Sequence, residues 1–142
     1  MPVAGPLAEV SLSIPSRPEY VGVARLAILG VASRMRFSYD EVEDIRLAVG
    51  EACTRAIDRL DGGPQEHAID IRCLIDANRL TIEVRHPLIP STPPVEAPAD
   101  PVNIDPVELG GVLIRILMDE VETIDRAEEG VQLLRMVKYV AR

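Results

Sequence analysis

The stretch Ser38–Leu60, SYDEVEDIRLAVGEACTRAIDRL, decides how the rest of the chain is arranged. Val42, Ile45, Val49, Ala52, Cys53, Ala56, Ile57 and Leu60 recur at three- and four-residue spacing, which places one apolar stripe along a helix. Ser38 followed three residues later by Glu41 is a capping-box pattern, each side chain satisfying a free backbone donor of the other residue. The pattern stops at Asp61-Gly62-Gly63-Pro64, where glycine opens the backbone and Pro64 cannot continue a helix. On a second face Glu51, Arg55 and Asp58 stack at helical spacing. Taken alone, such a trio reads as a solvated ion-pair ladder of little energetic weight.

Around this helix the chain alternates in period. Glu9–Ile14 (EVSLSI) alternates polar and apolar residues and is predicted as a strand ended by Pro15. A helix is predicted from about Pro18 to Met35, with Pro18 in its first turn. Its apolar residues Val21, Ala24, Leu26, Ile28, Leu29, Val31 and Ala32 occupy more than one side, which suggests burial on two sides or a partner surface. Ala68–Ile75 and Leu80–Arg85 alternate again and flank the turn Asp76–Arg79, a hairpin signature. Residues 86–106 carry seven prolines and no periodicity, so a long extended loop is expected there. A third helix, about Val107–Met118, and strands at Val121–Ile124 and Val131–Val140 complete the chain. The order favours one α/β (α+β) domain over residues 1–142. Its two-layer sandwich would set helices on one face of a mixed, mainly antiparallel sheet, with residues 1–7 as a loose arm.

Composition bounds the function. With 142 residues the chain can bury a core without covalent staples, and with 47% apolar but 3% aromatic residues that core must be aliphatic. A net charge of −8 and no Lys/Arg run argue against direct nucleic-acid binding. No apolar run approaches a membrane span and MPVAGPLAEV lacks a secretory pattern, so no membrane association and a cytoplasmic location are expected. Cys53 falls on the apolar stripe and Cys73 in a strand, positions of small core residues rather than ligands. His67 and His86 lack ligand-like companions; His86 reads as a surface histidine, and no metal site is expected.

The run IPSRPEYVGVARLAILGVASRMRFSYDEVEDIRLAVGEACTRAI, Ile14 to Ile57, resembles the N-terminal half of the bacterial anti-sigma factor serine kinases, within the histidine-kinase-like (GHKL) ATPase superfamily. LMDEV, Leu117–Val121, is similar to the C-terminal part of the same family, so the resemblance spans roughly residues 8 to 140 with a poor middle. It implies the histidine-kinase-like fold, a sigma factor and/or a STAS-type antagonist as partners, a homodimer, and ATP with Mg2+ as cofactors. Glu51 matches the family glutamate that positions or activates the attacking hydroxyl, which makes it the candidate base. Arg55 stands where the family has a magnesium-binding asparagine, a fixed cation in place of an oxygen ligand. After the strand ending near Val84, Arg85-His86-Pro87-Leu88-Ile89 has neither the adenine-reading aspartate nor the glycines of the family's second box. Glu108-Leu109-Gly110-Gly111-Val112-Leu113 partly matches the family's phosphate turn, with Gly110 and Gly111 its candidates. By the same resemblance Arg25 contributes to the partner surface, and residues 86–106 stand at the ATP-lid position. An arginine whose stem covers apolar surface while its head stays wet is the alternative for Arg25. The expectation is an anti-sigma-factor-like regulator with a degenerate nucleotide site; the alternative is an active serine-protein kinase that phosphorylates an antagonist with ATP. A scaffold domain that only shares the fold is a third possibility.

Overall fold

The computed structural model describes residues 5–60, 67–88 and 106–141. The expected arm at its first four residues, the turn Asp61–Pro64 and most of the proline-rich loop lie outside the described residues. Strands are β1 (Ala8–Pro15), β2 (Ala68–Ile75), β3 (Arg79–Pro87), β4 (Glu120–Arg126) and β5 (Val131–Tyr139). Helices are α1 (Val21–Ala32), entered through a 3-10 turn at Pro18–Tyr20, α2 (Tyr39–Leu60) and α3 (Pro106–Leu117). The strands form one five-stranded sheet in the order β1-β2-β3-β5-β4. The expected mainly antiparallel sheet is present, and all four pairings are antiparallel, so the mixed character is absent among the described residues.

Local chemistry explains the element ends. The Ser38 amide donates to Glu41 Oε1 at 2.8 Å and the Glu41 amide to Ser38 Oγ at 3.1 Å, the reciprocal capping box that starts α2. Asp76 N–H donates to the Arg79 carbonyl at 3.0 Å across the β2–β3 turn. Gly130 takes φ 68° where the chain enters β5, a left-handed backbone that suits glycine. Helix α1 ends at Ala32, short of Met35, in a turn where the Ser33 amide bonds Leu29 and that of Arg34 bonds Val31.

One face of the sheet carries the core. Ile14, Ile69, Ile71, Cys73, Leu80, Ile82, Val84 and Met136 meet Ala24 and Ile28 of α1, the α2 stripe and Ile114 of α3. Every stripe residue of α2 named above is buried, which makes this helix the hub of the helical layer. Leu26 of α1 differs from the doubly buried reading: it is 70% exposed, and Val23 is also exposed, so the second apolar side of α1 faces solvent.

The opposite face of the sheet is polar and internally paired. Glu9 of β1, Arg72 of β2, Glu83 of β3, Arg135 of β5 and Glu122 of β4 alternate in sign across all five strands. Successive N–O separations are 2.7, 3.6, 2.9 and 3.7 Å. This charge ladder marks the face that no described helix covers.

Candidate functional site

Glu51, Arg55 and Arg59 descend the inner part of α2 one turn at a time, toward the sheet and toward α3. Glu51 is half-buried beside α3: a Cβ on Gly110 would stand 3.2 Å from Glu51 Oε2. Two residues expected from separate stretches of sequence are therefore neighbours. Gly110 and Gly111 are the fifth and sixth residues of α3, not a turn that opens it. At that depth a helical amide points to the carbonyl four residues earlier.

Arg55 is half-buried, which corrects the surface-ladder reading; of the trio only Asp58 is exposed. It lines a small cavity of about 20 Å³ together with Arg59, His86 of β3, Thr123 of β4 and Gln132 of β5. Ala52, Ala56, Val84 and Leu134 supply its apolar wall. Burial, and then the like charge of Arg59, pull the Arg55 guanidinium below its usual pKa. Burial lowers that of Arg59 too, against an opposing pull from Asp58. Arg59 Nε and Nη2 are buried with no hydrogen-bond partner among the described residues. Arg59 was not picked out from the sequence, where an arginine near the end of a helix is ordinary; only the fold brings it under β3 and β5.

His86 is buried at 8% exposure, a correction to the surface reading. Strand β3 continues through it to Pro87, so His86 falls in the same phase as the buried Leu80, Ile82 and Val84. The expected loop thus begins two residues later than residue 86. Its ring Nδ1 lies 2.7 Å from the Pro87 carbonyl, which requires the proton on Nδ1. Burial pushes its pKa below the ordinary value, Arg59 adds to this, and Pro87 and Asp125 oppose it. Gln132 Nε2 donates to Asp125 Oδ1 at 2.7 Å, which fixes the amide at the mouth of the same cavity.

Arg25 lies apart from this cavity, on the α1 side of α2. Its Nε is buried without a hydrogen-bond partner among the described residues, so the head does not stay fully wet as a snorkelling arginine would. The guanidinium rests on Gly50: a Cβ there would collide with Nε and stand 2.8 Å from Nη2. Cys53 and Cys73 are buried free thiols, with pKa values pushed up by burial to about 12 and about 11. Among the described residues no cluster of His, Cys, Asp and Glu could hold a metal ion, and no helix is long and apolar enough to cross a membrane. A wider hollow of about 430 Å³ opens on the charged sheet face, lined by Ser11, Ser13, Arg72, Glu83, Arg85 and Arg126 among others. It contains none of the expected site residues.

Comparison with known proteins agrees with this geometry. The histidine kinase-like ATPase domain matches residues 14–138. The chain is 34% identical to the serine-protein kinase RsbW of Bacillus subtilis, over 92% of this chain and 85% of the relative. It is 33% identical to the protein of the same name from Bacillus velezensis over the same shares. For the Listeria monocytogenes serine-protein kinase RsbW the identity is 31%, over 93% of this chain and 87% of the relative. The match over residues 14–138 and the identities over most of the chain place it in the histidine kinase-like ATPase domain family.

Proposed function

We propose that the protein is an anti-sigma-factor-like regulator in a partner-switching system. It binds a sigma factor and/or a STAS-domain antagonist, with ATP binding weak or lost. The observation that carries this reading is Arg55, one helical turn after Glu51, at the position where the family would hold magnesium through an asparagine oxygen. A guanidinium has donors only and cannot coordinate a cation. This supports a weakened magnesium–nucleotide site, because Arg55 brings no oxygen ligand to it. Partner recognition draws support from α1, where Val23 and Leu26 expose apolar surface beside Arg25. The same face suits a second copy of the chain. A cytoplasmic location fits these partners.

One observation favours the alternative, an active serine-protein kinase: the Glu51 carboxylate faces Gly110 across the α2–α3 contact. The two readings separate in one assay, in which a candidate antagonist is incubated with the protein, ATP and magnesium, and both complex formation and phosphate transfer are read. Complex formation without transfer is expected. Transfer that Glu51→Ala abolishes would establish the kinase instead.

A further inference from the structure

The hollow of about 430 Å³ on the uncovered sheet face has the size of a small-molecule site, for which roughly 300–1,000 Å³ is usual. Every residue that lines it belongs to a strand, so it is separate from Glu51 and Gly110 on the helical side. Strand register sets its walls. Ser13 stands opposite Asp70, Asp70 opposite Arg85 and Arg85 opposite Leu133, so these side chains make one row across β1, β2, β3 and β5. Two residues along, Ser11, Arg72 and Glu83 make the next row on the same face. Leu133 is 2% exposed and gives the hollow an apolar floor. The two rows differ in how their charges are matched. Arg72 and Glu83 pair with one another at 3.6 Å and belong to the ladder. Asp70 and Arg85 are also cross-strand neighbours, a placement in which opposite charges ordinarily pair, yet no ion pair joins them. Arg85 turns instead to Glu129, at 3.0 Å, and Arg126 reaches the same carboxylate at 3.9 Å. Two guanidiniums thus share one carboxylate on one side of the hollow. On the other side Asp70, with the Ser11 and Ser13 hydroxyls nearby, has no cationic partner among the described residues.

We propose that this hollow binds a small zwitterion of dipeptide size, with a free carboxylate at one end and a free ammonium at the other. The carboxylate lies against Arg85 and Arg126, whose joint charge exceeds that of Glu129 by one, and the planar guanidinium fork suits it. The ammonium lies against Asp70 and donates its remaining hydrogens to the Ser11 and Ser13 hydroxyls. The carbons between them rest on Leu133. Charge excludes the simpler ligand classes: a plain anion meets the like charge of Asp70, and a plain cation meets that of two arginines. Spacing sets the length. Asp70 arises one strand from Arg85 and three strands from Arg126, and strands lie about 4.8 Å apart. Arginine side chains reach back across part of that span, and a dipeptide, at up to about 3.6 Å per residue, bridges the rest.

The test is calorimetric titration of the full chain with L-alanyl-L-alanine at low, fixed ionic strength, alongside thermal unfolding in the same solutions. Saturable heat and a rise in Tm are expected. The N-acetyl and C-terminal amide forms, each lacking one charge, should bind more weakly by about tenfold or more, through loss of a charge-assisted pair. Arg85→Gln should weaken the free dipeptide by a similar factor and leave the amide form unchanged. Asp70→Asn, at an exposed position, should weaken the free dipeptide and leave the N-acetyl form unchanged. A general disturbance of the fold would not produce that crossed pattern. Arg36→Gln, exposed elsewhere, should leave all three titrations as they are. Absence of saturable heat, blocked forms that bind as well as the free dipeptide, or affinity that both site variants leave intact overturns the proposal. A doubled mass in sedimentation that Arg85→Gln abolishes also overturns it, since a second copy then covers this face. Partner binding and phosphate transfer concern the helical side and are decided by their own assay.

Discussion

Ser38 and Glu41 hold the start of the helix on which the whole molecule is assembled, and the exchange of bonds between them is local enough to isolate by mutation. Ser38→Ala should cost about 1 kcal/mol of stability, the usual worth of an N-cap, read as a shift of the urea midpoint at unchanged slope. His86 makes a pH-dependent contribution. Its pKa in the folded protein lies below the ordinary value, chiefly because burial disfavours the charged ring. The unfolded chain therefore binds the proton more readily, and the contribution of His86 is complete above its unfolded pKa of about 6.5 and is lost as pH falls below it. Stability measured from pH 7.5 to 5 should decline more steeply for the native chain than for His86→Gln; parallel slopes would remove His86 from the account. Cys53 and Cys73, with thiols pushed to about 12 and about 11, should resist a thiol reagent at neutral pH until the protein is unfolded.

At the scale of elements, α2 was legible from its residues alone, since a stripe at helical spacing, a capping box and a glycine-proline stop all give the same answer. Strand β3 was legible only to Arg85. Its alternation continues to His86 on the buried face, but a polar residue in a core phase looks like the end of a strand, and Pro87 strengthens that impression. Pro87 lacks only an N–H, and at the last position of a strand the ladder tolerates that. The grouping of Arg55, Arg59, His86 and Gln132 was not legible, because it joins an end of α2 to two strands distant in sequence. The family resemblance assigned Glu51 and Gly110 to one site without predicting their contact, and spacing in the sequence does not relate them. Packing between α1 and α2 adds one constraint the sequence hid: Gly50 leaves room for the Arg25 guanidinium. Gly50→Ala should drive that side chain off α2. The expected result is a small change in stability, since alanine favours the helix by up to about 1 kcal/mol, together with weakened partner binding. Unaltered binding would exclude Arg25 from the partner surface.

Across the whole molecule, one face of the sheet is given to the aliphatic core and the helices, and the other to a ladder of charges that reaches every strand. Glu83 is its centre, with a side chain only 10% exposed between Arg72 and Arg135. Glu83→Gln should destabilise by about 1–3 kcal/mol, because it leaves two arginines facing a group that no longer carries charge. The loss should shrink in part at high salt, since Glu83 is nearly buried but the Arg72 and Arg135 side chains are 51% and 34% exposed. The helical side carries the proposed function, which rests on Arg55 at the position that the resemblance gives to a magnesium-binding asparagine. Isothermal titration with ATP and magnesium, repeated with a chelator, tests this most directly. The account predicts no magnesium-dependent binding at millimolar nucleotide, with the same weak or absent heat in both titrations. Micromolar binding that disappears when magnesium is removed would contradict it.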